Sequence, residues 1–256
     1  MSHRPRLDKY TYEFINYHKN SNVIGIISDT HYPFAKKEDK NGYGHLQFLY
    51  ETFNKFQVNR VVHIGDLVDG HSWSYHETAD GAVNPSKEAE LAQKDIDKLF
   101  KMFPEGDLTM GNHDLLISRK AQTHNIPKKF LKTFEDIWNF PKGWNTHNHL
   151  SIDDVLYIHG TGKSGVNASV GLMTDYRQSV VSGHTHSAGG VSYRASYRDL
   201  SFGLNVGCLI DNSSYIMVYG RNFSKKPTLG CGIVVEGKHG FFIPMDLGSK
   251  IAYKQS

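Results

Sequence analysis

Residues 61–70 constrain the fold of this chain more than any other stretch. Val61-Val62-His63-Ile64 is a short, largely apolar run rich in β-branched residues, and it breaks at Gly65-Asp66-Leu67-Val68-Asp69-Gly70. Such a run reads as a buried strand that ends in a glycine-bounded loop. Asp66 and Asp69 then stand at a strand end, where burying carboxylates without cations is costly. A metal site would offset that cost. An ordinary acidic turn is the alternative, and only the rest of the chain separates the two.

The same pattern recurs. Val23-Ile24-Gly25-Ile26-Ile27 reads as a first strand, ending in Ser28-Asp29-Thr30-His31. Asp29 and His31 are two apart, so at an extended strand end they share a side. Residues 43–58 carry Leu46, Leu49, Tyr50, Phe53 and Phe56 at helical spacing. Strand, helix, strand in that order predicts a parallel βαβ unit. Residues 71–85 read as a long polar loop with Trp73, Tyr75 and His76. A helix follows, with Ser86 as its expected N-cap and Pro104 as its stop. Asp107 to Met110 reads as a third strand, ending in Gly111-Asn112-His113-Asp114. Leu115 to Ala121 reads as helical, and 127–138 as a further amphipathic helix with Phe130, Leu131, Phe134, Ile137 and Trp138. Short strands are expected at 149–152, 155–158 (ending in His159-Gly160) and 179–181 (ending in Ser182-Gly183-His184-Thr185-His186), with a small helix at 167–175. Strands at 189–195, 201–207 and 214–219 and a hairpin of 231–235 with 240–243 complete the pattern. With no repeat or linker in the sequence, the expectation is one domain over 1–256, with its core at about 22–245.

Composition narrows the classes. A chain of 256 residues, 39% hydrophobic and 21% charged, fits a soluble globular protein with an ample core. Net charge is +3, which neither demands nor excludes nucleic acid. Cys208 and Cys231 are too few for a disulfide framework and sit in no metal-binding motif, so they read as structural thiols. Residues 1–20 are polar with scattered aromatics, and no apolar run approaches a bilayer span. A cytoplasmic, non-membrane protein is the expectation. Histidine is the outlier at 15 residues, and it is the commonest metal ligand.

Five strand-end motifs therefore stand in one chain: Asp29-x-His31, Gly65-Asp66-x-x-Asp69, Gly111-Asn112-His113-Asp114, His159-Gly160 and Gly183-His184-x-His186. In open α/β sheets, sites form beyond the carboxyl ends of strands, so these loops can converge. The donors are carboxylates, imidazoles and one amide, without thiolate, a mixture that suits Mn, Fe or Zn. They exceed what one ion needs, and a two-metal site with a shared carboxylate accounts for them.

In order and content the five motifs resemble the calcineurin-like metallophosphoesterase superfamily. The tract from Gly203 to Val235 also resembles uncharacterised, often phage-encoded members. The resemblance implies an α/β fold, a four-layer α/β/β/α sandwich of the metallo-dependent phosphatase type. It implies two divalent ions, Mn first, with Fe or Zn as the other candidates. Asp29, His31 and His186 would hold one ion; Asn112, His159 and His184 would hold the other; Asp66 would bridge. His113 would protonate the leaving oxygen or stabilise phosphoryl charge, and Asp69 would orient His113. The reaction implied is phosphoester hydrolysis by a metal-bridging hydroxide, an in-line displacement clamped by two cations.

Departures from the pattern bear on the substrate. Protein phosphatases of the superfamily have Arg after the second Asp of the Gly-Asp motif and Glu after Asn-His. Gly70 and Asp114 stand there. Loss of the phosphate-gripping Arg favours a phosphodiesterase or nuclease, acting on nucleic acid or a nucleotide, with a phosphomonoesterase as the alternative. Loop 71–77 could stack a base or sugar, or its aromatics simply pack the loop. His76, Arg119 and Lys163 are the candidate substrate contacts, although Arg119-Lys120 also reads as a solvated helix face. Gly160-Thr161-Gly162-Lys163-Ser164 is not a P-loop, because Tyr157 stands where that motif requires Gly. A non-catalytic metal-binding scaffold is the competing class, and the survival of the proton donor with every ligand favours an enzyme.

Overall fold

In the computed structural model the described residues are 22–40, 43–75, 83–211 and 226–245. His76, the expected strand 214–219 and the aromatics of residues 1–20 lie outside them.

Among the described residues, eleven strands and the longer helices build four layers. β1 (Val23–Ile27), β2 (Arg60–His63), β3 (Gly106–Thr109) and β4 (Trp144–His147) run parallel, each paired with the next. β10 (Gly230–Val235) joins β1 antiparallel, and β11 (His239–Pro244) closes the order β11-β10-β1-β2-β3-β4. The second sheet runs β5-β6-β7-β9-β8, from Leu150–Ile152, Val155–Ile158, Ser179–Ser182, Leu200–Val206 and Gly189–Ala195. Its inner strands β6, β7 and β9 are parallel. Helices α1 (His45–Phe56) and α2 (Pro85–Met102) make the crossovers of the first sheet, and α5 (Ala168–Tyr176) makes the β6–β7 crossover of the second. The short helices α3 (Leu116–Thr123) and α4 (Phe134–Ile137) lie between β3 and β4.

Three apolar clusters glue the four layers, and the period of two in each strand assigns side chains to them. Val23 and Ile27 of β1 face the helices, with Phe48, Leu49, Phe53 and Phe56 of α1 and Ile96 and Leu99 of α2. Ile24, Ile26, Val62, Ile64 and Val234 face the second sheet, against Tyr157, Val181, Phe202, Leu204 and Val206. Leu156 and Val180 turn outward onto Leu172 and Met173 of α5. The central strands of both sheets are therefore covered on both faces, which is why β1, β2, β6 and β7 read as short, largely apolar runs. Each fully buried aliphatic or aromatic side chain contributes roughly 1.5–3 kcal/mol relative to exposure. Gly25 has a packing reason: a Cβ there would sit 2.7 Å from the Phe53 ring. Cys208 and Cys231 are buried and form no disulfide, and burial pushes both thiols up, which suits a structural role.

Local expectations differ in three places. The N-cap of α2 is Asn84, whose side chain accepts from the Lys87 amide at 2.9 Å, and not Ser86. Pro85 occupies the first helical position, where its missing N–H costs nothing. The single helix expected over 127–138 is two pieces, a 3-10 turn at Lys128–Phe130 and α4. Leu131 is extended between them, and Thr133 caps α4 by accepting from the Asp136 amide. Capping by Thr at that point competes with continuous helix. β4 was not expected at all. It is a half-exposed edge strand with polar Asn145, Thr146 and His147, so it lacks the apolar signature of its neighbours.

Candidate metal centre

The ends of β1, β2, β3, β6 and β7 deliver all five motifs to one place. The β1 and β2 loops are laced together by backbone bonds that prolong the strand pairing: Asp29 N–H to Gly65 O, His31 N–H to Asp66 O, and Tyr32 N–H to Leu67 O, at 2.9–3.1 Å. Asp114 ties in the third loop. Its carboxylate accepts from the amides of Asp66 (2.8 Å), Gly111 (2.9 Å) and Val68 (3.2 Å). Burial, and then the charge of Asp66, push the Asp114 carboxyl up to about 7. Gly111 must be glycine, since a Cβ would land on Asp66 Oδ1 and the Asp66 amide nitrogen.

Asp29, His31, Asp66 and His186 form one group whose donor atoms all lie within 4.8 Å of one another. Asp66, His159 and His184 form a second, so Asp66 belongs to both. In the first group His186 Nε2 is 3.0 Å from Asp29 Oδ1 and 3.1 Å from His31 Nε2, and His31 Nε2 is 3.6 Å from Asp66 Oδ2. In the second, His159 Nε2 is 3.1 Å from Asp66 Oδ2, 3.1 Å from Asn112 Oδ1 and 3.2 Å from His184 Nδ1. All seven residues expected as ligands are thus brought together.

The donor chemistry fits cations. Each inner side chain has one polar atom tied to protein and the other aimed at the cluster. Asp29 Oδ2 accepts from Ser28 Oγ and from the His184 amide, leaving Oδ1 inward. Asp66 Oδ1 accepts from the His113 amide at 2.8 Å, leaving Oδ2 inward. His31 Nδ1–H donates to Asp69 Oδ1 at 2.7 Å, and His159 Nδ1–H donates to Ile64 O at 3.0 Å. Those bonds fix the tautomers, so each Nε2 presents a lone pair. Lone pairs facing lone pairs at about 3 Å repel unless a proton or a metal ion sits between them. Without a metal, protons fill that place. Burial would lower His159, yet the charge and hydrogen bond of Asp66 lift it to about 9. Burial would lower His31 too, but hydrogen bonds to Asp29 and Asp69 hold it well above its usual range. Burial would raise Asp29 and Asp66, and the surrounding imidazoles instead hold both far below the usual carboxylate range.

Backbone conformation supports a specialised site. Asp29, His31, Asp66 and His184 all have φ between +47° and +62°. Non-glycine residues adopt this left-handed region rarely, and such positions cluster where function imposes them.

The geometry around His113 differs from expectation. The Asp69 carboxylate bonds His31, and it lies 3.9 Å from His113 Nδ1. The backbone carbonyl of Asp69 is what accepts from His113 Nδ1–H, at 2.6 Å. The His113 ring stacks edge-on to His31 with centroids 4.7 Å apart. Among the described residues its Nε2 has no protein partner. Arg119 packs its guanidinium 5.8 Å from the Tyr75 ring centroid, at the rim of loop 71–75. Lys163 is paired with Asp175 at 2.7 Å on the exposed surface. Sequence reasoning saw Asp114 only as a departure from a pattern. Its position beside Asn112-His113 was the one signal of its role, and that role is visible only in three dimensions.

Two comparisons bear on this centre. A profile of the calcineurin-like phosphoesterase family matches residues 23–179, more than half of the chain and all but the last motif. No curated protein matches the chain.

Proposed function

We propose that this chain, which belongs to the calcineurin-like phosphoesterase family, hydrolyses phosphodiesters at the His/Asp cluster with the help of two divalent ions. The observation that carries the reading is the position of Asp66, whose one inward oxygen belongs to both donor groups. Asp29, His31, His186 and Asp66 would hold one ion; Asp66, Asn112, His159 and His184 the other. Two such ions lower the pKa of bound water and neutralise phosphoryl charge. The donor set of oxygen and imidazole suits manganese, with iron or zinc as substitutes.

The chain's own residues supply the rest. Asp69 holds the His31 ring in the tautomer that turns Nε2 inward. The Asp69 carbonyl does the same for His113, keeping the proton on Nδ1 and freeing Nε2 to carry a second proton to the leaving oxygen. A positioned imidazole of this kind contributes about 10²–10⁴-fold. Gly70 stands where a protein phosphatase grips a monoester with Arg. With that grip gone, binding no longer favours a dianionic monoester, and the diester becomes the better substrate.

The test compares bis-p-nitrophenyl phosphate with p-nitrophenyl phosphate, with manganese added and then chelated. Faster diester hydrolysis that stops on chelation is the expected result. A preference for the monoester would overturn the substrate assignment. Failure on both substrates with Mn, Fe and Zn would favour the scaffold reading.

A further inference from the structure

Next to the centre, the chain carries a strip of charge that phosphoester hydrolysis of a small molecule does not use. From Leu115 to Phe134 there are five basic side chains and no acidic one: Arg119, Lys120, Lys128, Lys129 and Lys132. Removing them leaves 24 Lys and Arg against 26 Asp and Glu, so this strip holds the whole positive excess of the chain. None of the five is in an ion pair with another described residue, whereas Lys36, Lys37, Arg60, Lys87, Lys94, Lys98 and Lys163 all are.

The strip begins at the site. α3 starts three residues after His113, and its Leu116 lies where a side chain on Gly70 would clash. Aromatic rings are set among the charges. Tyr75, 54% exposed, has Lys120 Nζ 5.0 Å and Arg119 Cζ 5.8 Å from its ring centroid. Lys120 also donates to Ser74 O at 3.0 Å, which fixes the loop that carries Tyr75. Beyond α3, Phe130 is 70% exposed with Lys129 Nζ 5.0 Å from its centroid. An exposed phenyl ring held beside a cation is costly in water and useful against a flat, electron-rich ring. Cations that follow a backbone, interleaved with stacking faces, are what a single-stranded nucleic acid requires.

We propose that residues 115–132 with Tyr75 form a track for single-stranded nucleic acid, which feeds a phosphodiester into the metal centre. This inference rests on the hydrolytic reading above for its product, but not for its binding step. One polymer satisfies both the anion-seeking strip and the phosphoester-seeking site, and an acidic protein or a membrane would satisfy only the first.

The experiment measures binding of a labelled single-stranded oligonucleotide to the full chain by fluorescence anisotropy, with metal chelated, across salt concentration. Five phosphate contacts predict a slope of log affinity against log salt of about −3.5, at roughly 0.7 per contact on a single strand. The triple variant Lys128→Gln/Lys129→Gln/Lys132→Gln should bind more weakly with a slope near −1.4 by the same rule. It should hydrolyse bis-p-nitrophenyl phosphate at the parental rate. Phe130→Ala should weaken binding without changing the slope. An oligonucleotide that stays unbound at 50 mM salt, or a triple variant with an unchanged slope, overturns the proposal. So does capture by phosphatidylserine vesicles with the oligonucleotide left free. Oligonucleotide binding without any diester hydrolysis would refute the hydrolytic reading and leave the binding track standing.

Discussion

Asp69→Asn separates two roles that one carboxylate could serve. The Asp69 carboxylate accepts from His31 Nδ1–H at 2.7 Å in a buried setting, and is 3.9 Å from His113 Nδ1. Asparagine keeps the shape but removes the charge, and its amide can turn the wrong end toward His31. A charge-assisted bond of this kind is about twice as strong as a neutral one. Loss of the group that orients a metal-binding imidazole costs about 10–100-fold in affinity, or roughly 1.4–2.7 kcal/mol. The loss should fall on the ion proposed for Asp29, His31 and His186, since His31 is the proposed ligand whose ring Asp69 holds. The carbonyl that holds His113 survives the substitution. Manganese titration into chelator-stripped protein, followed calorimetrically, should therefore show one weakened site and one little changed. Turnover at saturating manganese should stay within a few-fold of the parent. Unchanged affinity with a tenfold or larger fall in saturated turnover would refute this reasoning, and would return the carboxylate to His113.

His113→Ala should keep both metal affinities and lose about 10²–10⁴-fold in turnover on an alkyl phosphate ester, with a smaller loss on p-nitrophenyl esters, whose leaving group needs no proton. Gly111→Ala forces a Cβ onto Asp66 and should cost at least about 1–3 kcal/mol in denaturant unfolding, together with most metal binding. A pH effect is expected at His45, which is not among the proposed ligands. Its Nδ1–H donates to Lys36 O at 2.6 Å and its Nε2 lies 2.9 Å from Tyr32 Oη. Burial, aided by the charges of Lys37 and Lys98 against that of Asp95, lowers it to about 4. The unfolded chain takes up that proton near pH 6.5 and the folded chain only near 4. The contribution is therefore complete above pH 6.5 and is lost as pH falls toward 4, by about 3 kcal/mol at 1.36 kcal/mol per unit. Unfolding free energies of the parent minus His45→Gln should show that slope in this window, and a flat difference would count against it.

The parts of the fold legible in the sequence were those where burial on two faces leaves a continuous mark. β1, β2, β6 and β7 announce themselves by short, largely apolar runs, and each run ends in its motif because the polar loop begins where the core stops. What stayed illegible has a different physical origin. β4 is an edge strand with Asn145, Thr146 and His147, so its pairing with β3 supplies what its composition does not. The split of 127–138 turns on a single capping hydroxyl, that of Thr133. Asp69 shows the limit most clearly. Spacing could place it at a strand end beside histidines, but which histidine its carboxylate meets depends on how the loop folds back across 38 residues of sequence.

The same contacts say which part of the centre is rigid. Asp29, His31, Asp66 and His159 each spend one polar atom on the protein, so their inward atoms are aimed before any ion arrives. Asn112 is held only by a long bond from Thr161 Oγ1 at 3.4 Å, and the side chain of His186 is 27% exposed against 2% for His31. His184 and His186 leave the same loop, after Gly183, on the accessible side of the cluster. In the proposed arrangement one ion would meet pre-aimed Asp29, His31 and Asp66 and gain His186 from that loop, and the other would meet Asp66 and His159 and gain His184. Ordering the metal geometry then costs the rotamer freedom of a few side chains instead of seven, which is the usual advantage of a preorganised site. The left-handed residues and the three-way bond of Asp114 belong to that preorganisation: they fix the loop ends that the parallel strands have already gathered.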